Sequence, residues 1–176
     1  MRSFIALAAI AAATCATPQP PAVSAAPAAK EAKAVTFRLV QRGSYGAGAS
    51  ARPGTSRGAR AAMARDEGSY RALWQQYAGG GEPPAVDFSR ETSVFLSLGQ
   101  RPTGGYSITP NSVAVEGTTI VVDATISTPS PGSVVTMAFS SPFAVIAVSI
   151  TSASSLRWMD GGHEVMLGES PQAQER

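Results

Sequence analysis

The side chains that most often carry catalysis are scarce in this sequence of 176 residues. It holds one histidine, His163, and one cysteine, Cys15. Residues 54–58 read Gly-Thr-Ser-Arg-Gly, which matches the Gly-x-Ser-x-Gly pattern of a strained turn that exposes a nucleophilic serine. That turn requires a preceding strand and a histidine base close by. The sequence before residue 54 has no strand pattern, and His163 follows about a hundred residues later, so we attribute the match to chance.

Metal, phosphate and glycoside chemistry receive no support from residue spacing either. Metal sites need several converging ligands, and the acidic residues of this chain are scattered without the spacing of a calcium loop. Both lysines, Lys30 and Lys33, lie near the N-terminus, so there is no glycine-rich phosphate loop followed by lysine. A pair of carboxylates for glycoside hydrolysis stays open, because such pairs form in space rather than in sequence. We expect a protein that is not an enzyme and that uses no metal and no cofactor.

Composition narrows the class of partner. Charged residues make up 15% of the chain and the net charge is +2, which is too weak a positive field to indicate nucleic acid binding. The hydrophobic fraction of 44% suffices for one core, and a single cysteine cannot form an intrachain disulfide. We therefore expect one domain with appended segments and a protein as its partner.

The stretch best suited to binding connects two apolar runs and contains three glycines and one proline. It comprises Gly99, Gln100, Arg101, Pro102, Thr103, Gly104, Gly105 and Tyr106. Proline fixes its own φ angle, and the paired glycines can take positive φ and leave their backbone open to a close approach. Two interpretations remain open: a binding loop that Pro102 and Thr103 make rigid, or an internal strand turn with Tyr106 packed in the core.

Several short motifs in a fixed order give a family resemblance. They are Pro-Ala-Val-Asp-Phe-Ser-Arg-Glu at 84–91, the loop at 99–106, Pro-Ser-Pro-Gly at 129–132 and Ser-Pro-Phe at 141–143. Over roughly residues 66–151 the chain resembles the C-terminal domain family of PrcB, a protease-complex subunit. The resemblance implies a non-catalytic protein that associates with and stabilises an envelope protease, with residues 99–106 as the partner-binding loop.

Two alternative functions stay open. One uses the loop at 99–106 to inhibit a peptidase, and the other is an architectural role that does not depend on this loop. Residues 102–106 are also similar to the Pro-Thr-Thr-Gly-aromatic loop of chagasin-type cysteine-peptidase inhibitors, which are Ig-like sandwiches that wedge a rigid loop into the peptidase cleft. This chain departs from that family by its second glycine and by lacking partners for the other two inhibitory loops. The remaining alternative is an architectural envelope lipoprotein domain that binds another envelope component and never meets a protease.

The N-terminus has the pattern of an export signal. Residues 1–16 carry Arg2 before a run of ten apolar residues, which is too short to span a bilayer as a mature helix. Cys15 follows Ala-Ala-Thr, which resembles a degenerate lipobox, and the alternative is ordinary cleavage after Ala16 or Ala25. We expect export to the bacterial cell envelope, either as a lipoprotein whose only membrane link is a lipid on Cys15 or as a soluble periplasmic protein. Residues 17–33, rich in proline and alanine, are predicted to be an extended tether.

The domain itself is predicted over residues 34–168, followed by a tail at 169–176. A first strand is expected at 34–41, then a long Gly/Arg-rich loop at 43–65 with a short helical turn near 59–64. The arginines of that loop are read either as a solvated surface or as a contact for an acidic partner. A helix is expected at about 69–78, because one apolar face repeats at helical spacing and suits packing on a sheet. That face comprises Tyr70, Leu73, Trp74 and Tyr77.

The rest of the chain is predicted to be almost entirely β. Strands are expected at 92–98, 106–115, 118–127, 134–139 and 143–151, with the second bent or broken because Pro110 cannot donate to a sheet ladder. Residues 160–162 have the composition of a tight hairpin turn. Strands of this spacing predict a mainly β fold: an antiparallel β-sandwich or open barrel with one packed α-helix.

Overall fold

The computed structural model describes residues 32–46, 58–149 and 152–168. Along these ranges the elements are β1 (Ala32–Ala34), β2 (Phe37–Gly46), β3 (Arg60–Ala64), α1 (Glu67–Tyr77), β4 (Thr92–Ser97), β5 (Ser107–Glu116), β6 (Thr119–Ser127), β7 (Ser140–Val148), β8 (Ser155–Asp160) and β9 (His163–Glu164). The predicted signal peptide, Cys15, the tether up to residue 31, residues 54–57 and the tail lie outside the described residues. In the part of the chain that is described, no helix is long and apolar enough to cross a membrane.

The strands form two sheets. One has the order β1-β5-β6-β8-β9 and the other the order β2-β7-β4-β3. Neighbouring strands are antiparallel except β6 and β8, which run parallel from the pair Thr119–Ser155 to the pair Asp123–Met159. The sheets pack face to face and, over the described ranges, do not join into a closed barrel. The predicted mainly β fold with one helix is confirmed, and of its two forms the sandwich is the one observed.

The core between the sheets follows from alternation along the strands. Val94 of β4 and Ile146 of β7 face Ile120 of β6 and Trp158 of β8, and none of these four side chains is exposed. The Trp158 indole Nε1–H donates to the Ala124 carbonyl oxygen at 3.2 Å, so its one polar atom is satisfied in the apolar interior. This core holds both sheets in a fixed relation and thereby positions the loops at their ends.

Helix α1 covers the outer face of the four-stranded sheet. Asp66 caps its N-terminus, accepting a hydrogen bond from the Ser69 backbone N–H at 2.8 Å, and three glycines with positive φ follow the helix, at 79–81. The predicted apolar face is confirmed, because it packs on Phe95 and Val145 of the sheet. Its buried or half-buried members are Tyr70, Leu73, Trp74 and Tyr77. The helix begins two residues before the predicted start.

The break predicted in the strand at 106–115 is observed as a bulge in β5. The register between β5 and β6 shifts between Pro110 and Ser112, which leaves Asn111 without a partner across the ladder. Its side-chain amide instead donates to Asp123 Oδ2 at 3.2 Å and to Thr125 Oγ1 at 2.8 Å. A proline in a paired strand is thus accommodated by one extra residue and two side-chain hydrogen bonds.

The prediction of a loop over 43–65 is wrong at both ends. Strand β2 continues to Gly46, and residues 60–64 form β3, paired with β4 from Arg60–Ser97 to Ala64–Ser93, so the helical turn near 59–64 does not exist. Alanine and arginine have weak strand preference, and pairing with the buried β4 overrides it. Arg60, read as part of a basic surface, is only 5% exposed, with its guanidinium carbon 4.8 Å from the Tyr77 ring centroid.

The predicted first strand, 34–41, is divided between the two sheets. Ala34 is the last residue of β1, which pairs with β5, whereas Phe37 begins β2, which pairs with β7. Ala32 and Lys33, assigned to the tether, therefore belong to a sheet. Between the two strands the Val35 backbone N–H donates to the Val113 carbonyl oxygen at 2.9 Å, so the chain changes sheets at this point.

The predicted strand at 134–139 is also wrong. Residues 133–139 have no strand pairing, and β7 begins at Ser140, inside the stretch 140–142 that is predicted to separate two strands. Pro142 pairs opposite Ser44, and its carbonyl oxygen accepts from the Leu98 backbone N–H at 3.1 Å. A proline this close to the start of a strand is tolerated because its missing N–H costs the ladder little there.

Candidate functional site

His163 is exposed at the β8–β9 turn, next to the exposed Glu164. Among the described residues, no three His, Cys, Asp or Glu side chains come together as a metal-binding group. Three described carboxylates have shifted pKa values: Asp66, Asp87 and Glu91. In each case hydrogen bonds within the fold lower the pKa. These groups act in local structure, beside α1 and the segment that follows it.

The cleft beside the N-terminal half of α1 has a volume of about 260 Å³. It is lined by Tyr70, Pro84 and Phe88 among others, and also by the charged residues Glu67, Arg71 and Glu82. The Tyr70 hydroxyl donates to the Pro84 carbonyl oxygen at 3.0 Å, so it already has a partner. Burial raises the pKa of this tyrosine, while the charge of Arg38 lowers it by a smaller amount. Of the charged residues of this cleft, Glu67 and Arg71 form an ion pair with each other, and no described group of three metal ligands lies there.

The predicted binding loop, residues 99–106, carries the chain from β4 in one sheet to β5 in the other. It starts with Gly99 at φ +70°, whose backbone N–H donates to the Ser97 Oγ at 3.0 Å. A positive φ is costly for any residue with a Cβ, which explains a glycine at the point where the chain leaves the sheet. The loop is therefore held at its first residue by local structure.

A second loop, residues 128–139, lies along the first and is bonded to it. The Arg101 backbone N–H donates to the Ser140 carbonyl oxygen at 2.7 Å, and the Ser140 N–H donates back to the Arg101 carbonyl at 2.9 Å. The Ser140 Oγ donates to the Thr103 carbonyl oxygen at 2.6 Å, and the Gly104 N–H donates to the Thr136 carbonyl at 2.9 Å. One of these four bonds joins the first loop to the second loop, at Thr136, and the other three join it to Ser140, the first residue of β7, which directly follows the second loop. Together they fix residues 101–104.

The two neighbouring glycines of the first loop have different surroundings. Gly105 has φ +86°, and a Cβ built on it would lie 3.1 Å from both Pro129 Cβ and Val135 Cγ1. A Cβ on Gly104 would lie 3.4 Å from Thr136 Cβ, which is close to ordinary van der Waals contact. The absence of a side chain at 105 therefore lets the second loop approach the first.

Arg101 lies at the start of the hydrogen-bonded segment 101–104, and Tyr106 follows two residues after its end. Tyr106 is half-buried and packs against the core between the sheets, and the Arg101 guanidinium carbon lies 5.8 Å from the Tyr106 ring centroid. That distance is within the range of a cation–π contact. Of the two interpretations of Tyr106, packing against the core is what the structure shows for this side chain, while Arg101 stays partly accessible.

The second loop exposes large apolar side chains. Val134 is 103% exposed, Met137 85% and Phe139 54%, although residues of these types are usually buried. They lie in the loop that bonds to 101–104, and Phe139 directly precedes Ser140. We call the surface formed by Arg101, Pro102, Val134, Met137 and Phe139 the paired-loop surface.

Sequence reasoning found one half of this surface and missed the other. The predicted residues Gly99 to Tyr106 are brought together as one loop, but Val134, Met137 and Phe139 were expected to lie in a strand. The run from 133 to 139 is rich in residue types that favour strands, with two valines, one threonine and one phenylalanine. The signal available for a loop was its position, directly after Pro-Ser-Pro-Gly at 129–132 and before Ser-Ser-Pro at 140–142.

Comparison with known proteins gives a match to a family model. No curated protein matches the chain, and no solved structure matches it either. A family model matches residues 92–149. This segment runs from the start of β4 to just past the end of β7 and includes both loops of the paired-loop surface. The model of the family described as PrcB C-terminal matches residues 92–149, and the family resemblance predicted from the sequence motifs is thereby confirmed for this part of the chain.

Proposed function

We propose that this protein is a non-catalytic, exported, protein-binding domain that uses the paired-loop surface to hold a partner in the cell envelope. In the sense implied by the PrcB resemblance, the partner is an envelope protease that the domain associates with and stabilises. The family match supports a PrcB-like domain for residues 92–149. The binding activity, the export and the nature of the partner are our proposal.

The observation that carries this proposal is the exposure of Val134, Met137 and Phe139 beside the loop 99–106. Adjacent exposed apolar side chains cost solubility and commonly mark an interaction surface. Methionine, aromatic residues and arginine are also the types enriched in protein interfaces, and all three occur here. A rigid pair of hydrogen-bonded loops loses little conformational entropy when it binds, which favours a preformed binding surface.

The chagasin-like alternative makes a different demand on the loop. An inhibitory wedge must enter a cleft, whereas residues 101–104 are bonded along their backbone to Thr136 of the second loop and to Ser140, the first residue of β7. A pair of loops presents a broader face than a single projecting loop, which favours association without occlusion of an active site. We therefore treat inhibition as an outcome that the experiment below distinguishes.

The test is affinity capture from the native envelope with the full chain as bait. The variant Met137→Ser removes an exposed side chain of the paired-loop surface, and Met166→Ser removes an equally exposed methionine (88%) outside it. We expect the unchanged chain and Met166→Ser to recover the same peptidase, and Met137→Ser to recover about tenfold less. The recovered peptidase should keep its turnover and lose activity more slowly on incubation when the chain is present.

Other results would contradict specific parts of the proposal. Equal recovery by all three baits would place binding elsewhere on the molecule. Loss of peptidase activity at a stoichiometric amount of the chain would favour the inhibitor alternative. Recovery of a partner that is not a peptidase, lost with Met137→Ser, would favour the architectural envelope domain.

The proposed location needs its own measurement. If Cys15 carries a lipid, the protein should sediment with membranes, and Cys15→Ser should move it to the soluble envelope fraction. Cleavage after Ala16 or Ala25 predicts a soluble protein with either residue at position 15. The mass of the mature N-terminus separates these two forms of the export hypothesis.

A further inference from the structure

The paired-loop surface holds a single formal charge. Between residues 98 and 110, and between residues 126 and 142, Arg101 is the one charged residue. The two stretches contain no aspartate and no glutamate, so no carboxylate of either loop can neutralise the guanidinium. The paired-loop surface therefore carries one positive charge, beside exposed apolar side chains, and no negative charge.

Arg101 differs in this respect from other arginines of the fold. The ion pairs found in the described residues join Arg38 to Glu91, Arg71 to Glu67 and Arg157 to Glu116, and Arg101 takes part in none of them. The Nε atom of Arg101 is buried with no hydrogen-bond partner in the described structure. Its guanidinium is thus partly removed from water, with no acidic group of the described residues beside it.

The backbone and a neighbouring ring restrict the position of this cation. Arg101 is held by two backbone hydrogen bonds to Ser140, and its guanidinium lies near the Tyr106 ring. A guanidinium presents a planar set of N–H donors that matches a carboxylate in two parallel hydrogen bonds. Because the side chain is already restricted, pairing it with a carboxylate loses less rotational freedom than pairing a mobile surface arginine.

We propose that the partner carries an aspartate or glutamate side chain that pairs with Arg101, next to apolar side chains that contact Met137 and Phe139. This inference rests on the proposed function and adds the chemistry of the partner. The apolar contacts supply most of the affinity by removing exposed hydrocarbon from water. The carboxylate supplies the register, because the surface offers only one place for it.

Two other occupants fit the surface less well. A second copy related by a twofold axis would bring the same residues together, and a surface whose only charge is positive cannot provide the matching carboxylate. A membrane surface with acidic lipids attracts clusters of basic residues, at about 1 kcal/mol for each one near the bilayer, and one arginine makes no cluster. The charge pattern is best matched by one acidic side chain in an apolar segment of another protein.

The test is selection from a displayed library of random peptides on the immobilised full chain. Each peptide is joined to the display protein through its C-terminus and therefore has no free terminal carboxylate. The only carboxylates in the peptides are then those of aspartate and glutamate side chains. Parallel selections use Arg101→Met, which keeps the aliphatic length, Arg101→Lys, which keeps the charge, and Met137→Ser. We expect peptides that combine an acidic residue with apolar neighbours, enriched on the unchanged chain, reduced on Arg101→Lys and absent on Arg101→Met and Met137→Ser.

A selected peptide then gives a quantitative readout on the unchanged protein. Replacing its aspartate by asparagine, or glutamate by glutamine, should weaken binding about tenfold. The affinity of the acidic peptide should fall as sodium chloride is raised, and that of the amide version should fall less. This comparison keeps the proposal testable even if Arg101→Met fails to fold.

The remaining outcomes overturn the proposal in distinguishable ways. Apolar peptides without an acidic residue, retained by Arg101→Met and lost with Met137→Ser, would leave the proposed protein-binding function standing and remove the carboxylate. Peptides selected equally by the unchanged chain and by Met137→Ser would remove the paired-loop surface itself, and with it both proposals. Binding to phosphatidylglycerol vesicles that disappears with Met137→Ser, in place of peptide binding, would assign the surface to the membrane.

Discussion

The glycine at position 105 combines two constraints that a sequence cannot separate. Its φ of +86° lies in the region that residues with a Cβ rarely adopt, and a Cβ there would meet the second loop at 3.1 Å. Gly132, in the second loop, has a similar φ of +81°, but a Cβ at that position would have nothing within 4 Å. Comparing the two positions isolates the cost of the close approach from the cost of the backbone angle.

We predict that Gly105→Ala lowers the free energy of unfolding by about 2–3 kcal/mol, because strain in the backbone adds to a clash with Pro129 and Val135. Gly132→Ala should lower it by about 1 kcal/mol, which is the cost of the left-handed angle alone. Urea unfolding followed by tryptophan fluorescence measures both. Equal losses for the two variants would mean that the loops can separate without cost.

Substitution of the exposed residues of the paired-loop surface should change the free energy of unfolding much less than substitution of Gly105. Met137 is 85% exposed, so Met137→Ser removes few contacts within the fold. We predict a change in the free energy of unfolding of less than about 0.5 kcal/mol, measured by the same urea titration. A larger loss would show that Met137 contributes to folding, and a binding defect of that variant could then no longer be assigned to the surface.

At the scale of elements, α1 depends on one buried stripe. Trp74 is 3% exposed, and its ring contacts the Tyr70 ring in a tilted arrangement with the centroids 6.0 Å apart. Its Nε1–H donates to the Gly80 carbonyl oxygen at 3.1 Å. We predict that Trp74→Ala lowers the free energy of unfolding by about 3–5 kcal/mol, since it leaves a cavity between helix and sheet. The matched control is Arg71→Ala on the same helix, whose ion pair with Glu67 is exposed and should contribute little. Thermal unfolding by circular dichroism compares them, and similar melting temperatures would contradict the prediction.

The elements that could be predicted from sequence are those whose periodicity agrees with their burial. The spacing of Tyr70, Trp74 and Tyr77 identified the helix, and the position of Pro110 identified the bend in β5. Strand β3 could not be predicted, because its Arg-Ala-Ala-Met-Ala sequence has no strand preference and is ordered only by pairing with β4. The prediction at 133–139 failed for the opposite reason: the composition of this run favours a strand, and no strand pairs with it.

At the scale of the whole molecule, the mainly β fold class was predictable and the strand pairing was not. The spacing of the strands and the turn residues between them indicated an antiparallel β-sandwich or an open barrel, and the structure has the sandwich. The partners of each strand depend on contacts far apart in sequence, as when β6 pairs in parallel with β8 or when β1 and β2 enter different sheets. The candidate site shows the same limit, because residues 99–106 were found by composition while the second loop joins them only through long-range hydrogen bonds.

The distribution of carboxylates over the molecule predicts how its stability depends on pH. The pKa of Glu91 lies below its ordinary value of 4.5, chiefly because Arg38 donates to it from Nε at 3.0 Å and from an Nη at 2.8 Å. Hydrogen bonds from Ser69 and Ser89 lower the pKa values of Asp66 and Asp87 below 3.8. A group whose pKa is lowered by folding adds stability that is present above its unfolded pKa and lost as the pH falls through its folded pKa. We therefore expect the free energy of unfolding to decrease as the pH is lowered past about 4.5.

The pair Arg38–Glu91 allows this expectation to be tested at one position, because it joins β2 to the segment before β4 over a sequence separation of 53 residues. Glu91→Gln should lower stability at pH 7 and flatten the decline between pH 4.5 and pH 3, since the group that takes up the proton is gone. Arg38→Met should flatten the same region, and the double variant should add little to either single one, because both changes remove one interaction. The measurement is urea unfolding at a series of pH values. Curves for Glu91→Gln that stay parallel to those of the unchanged protein below pH 4.5 would show that acid sensitivity arises elsewhere, with Asp66 at the helix cap and Asp87 in the following turn as the groups to replace next.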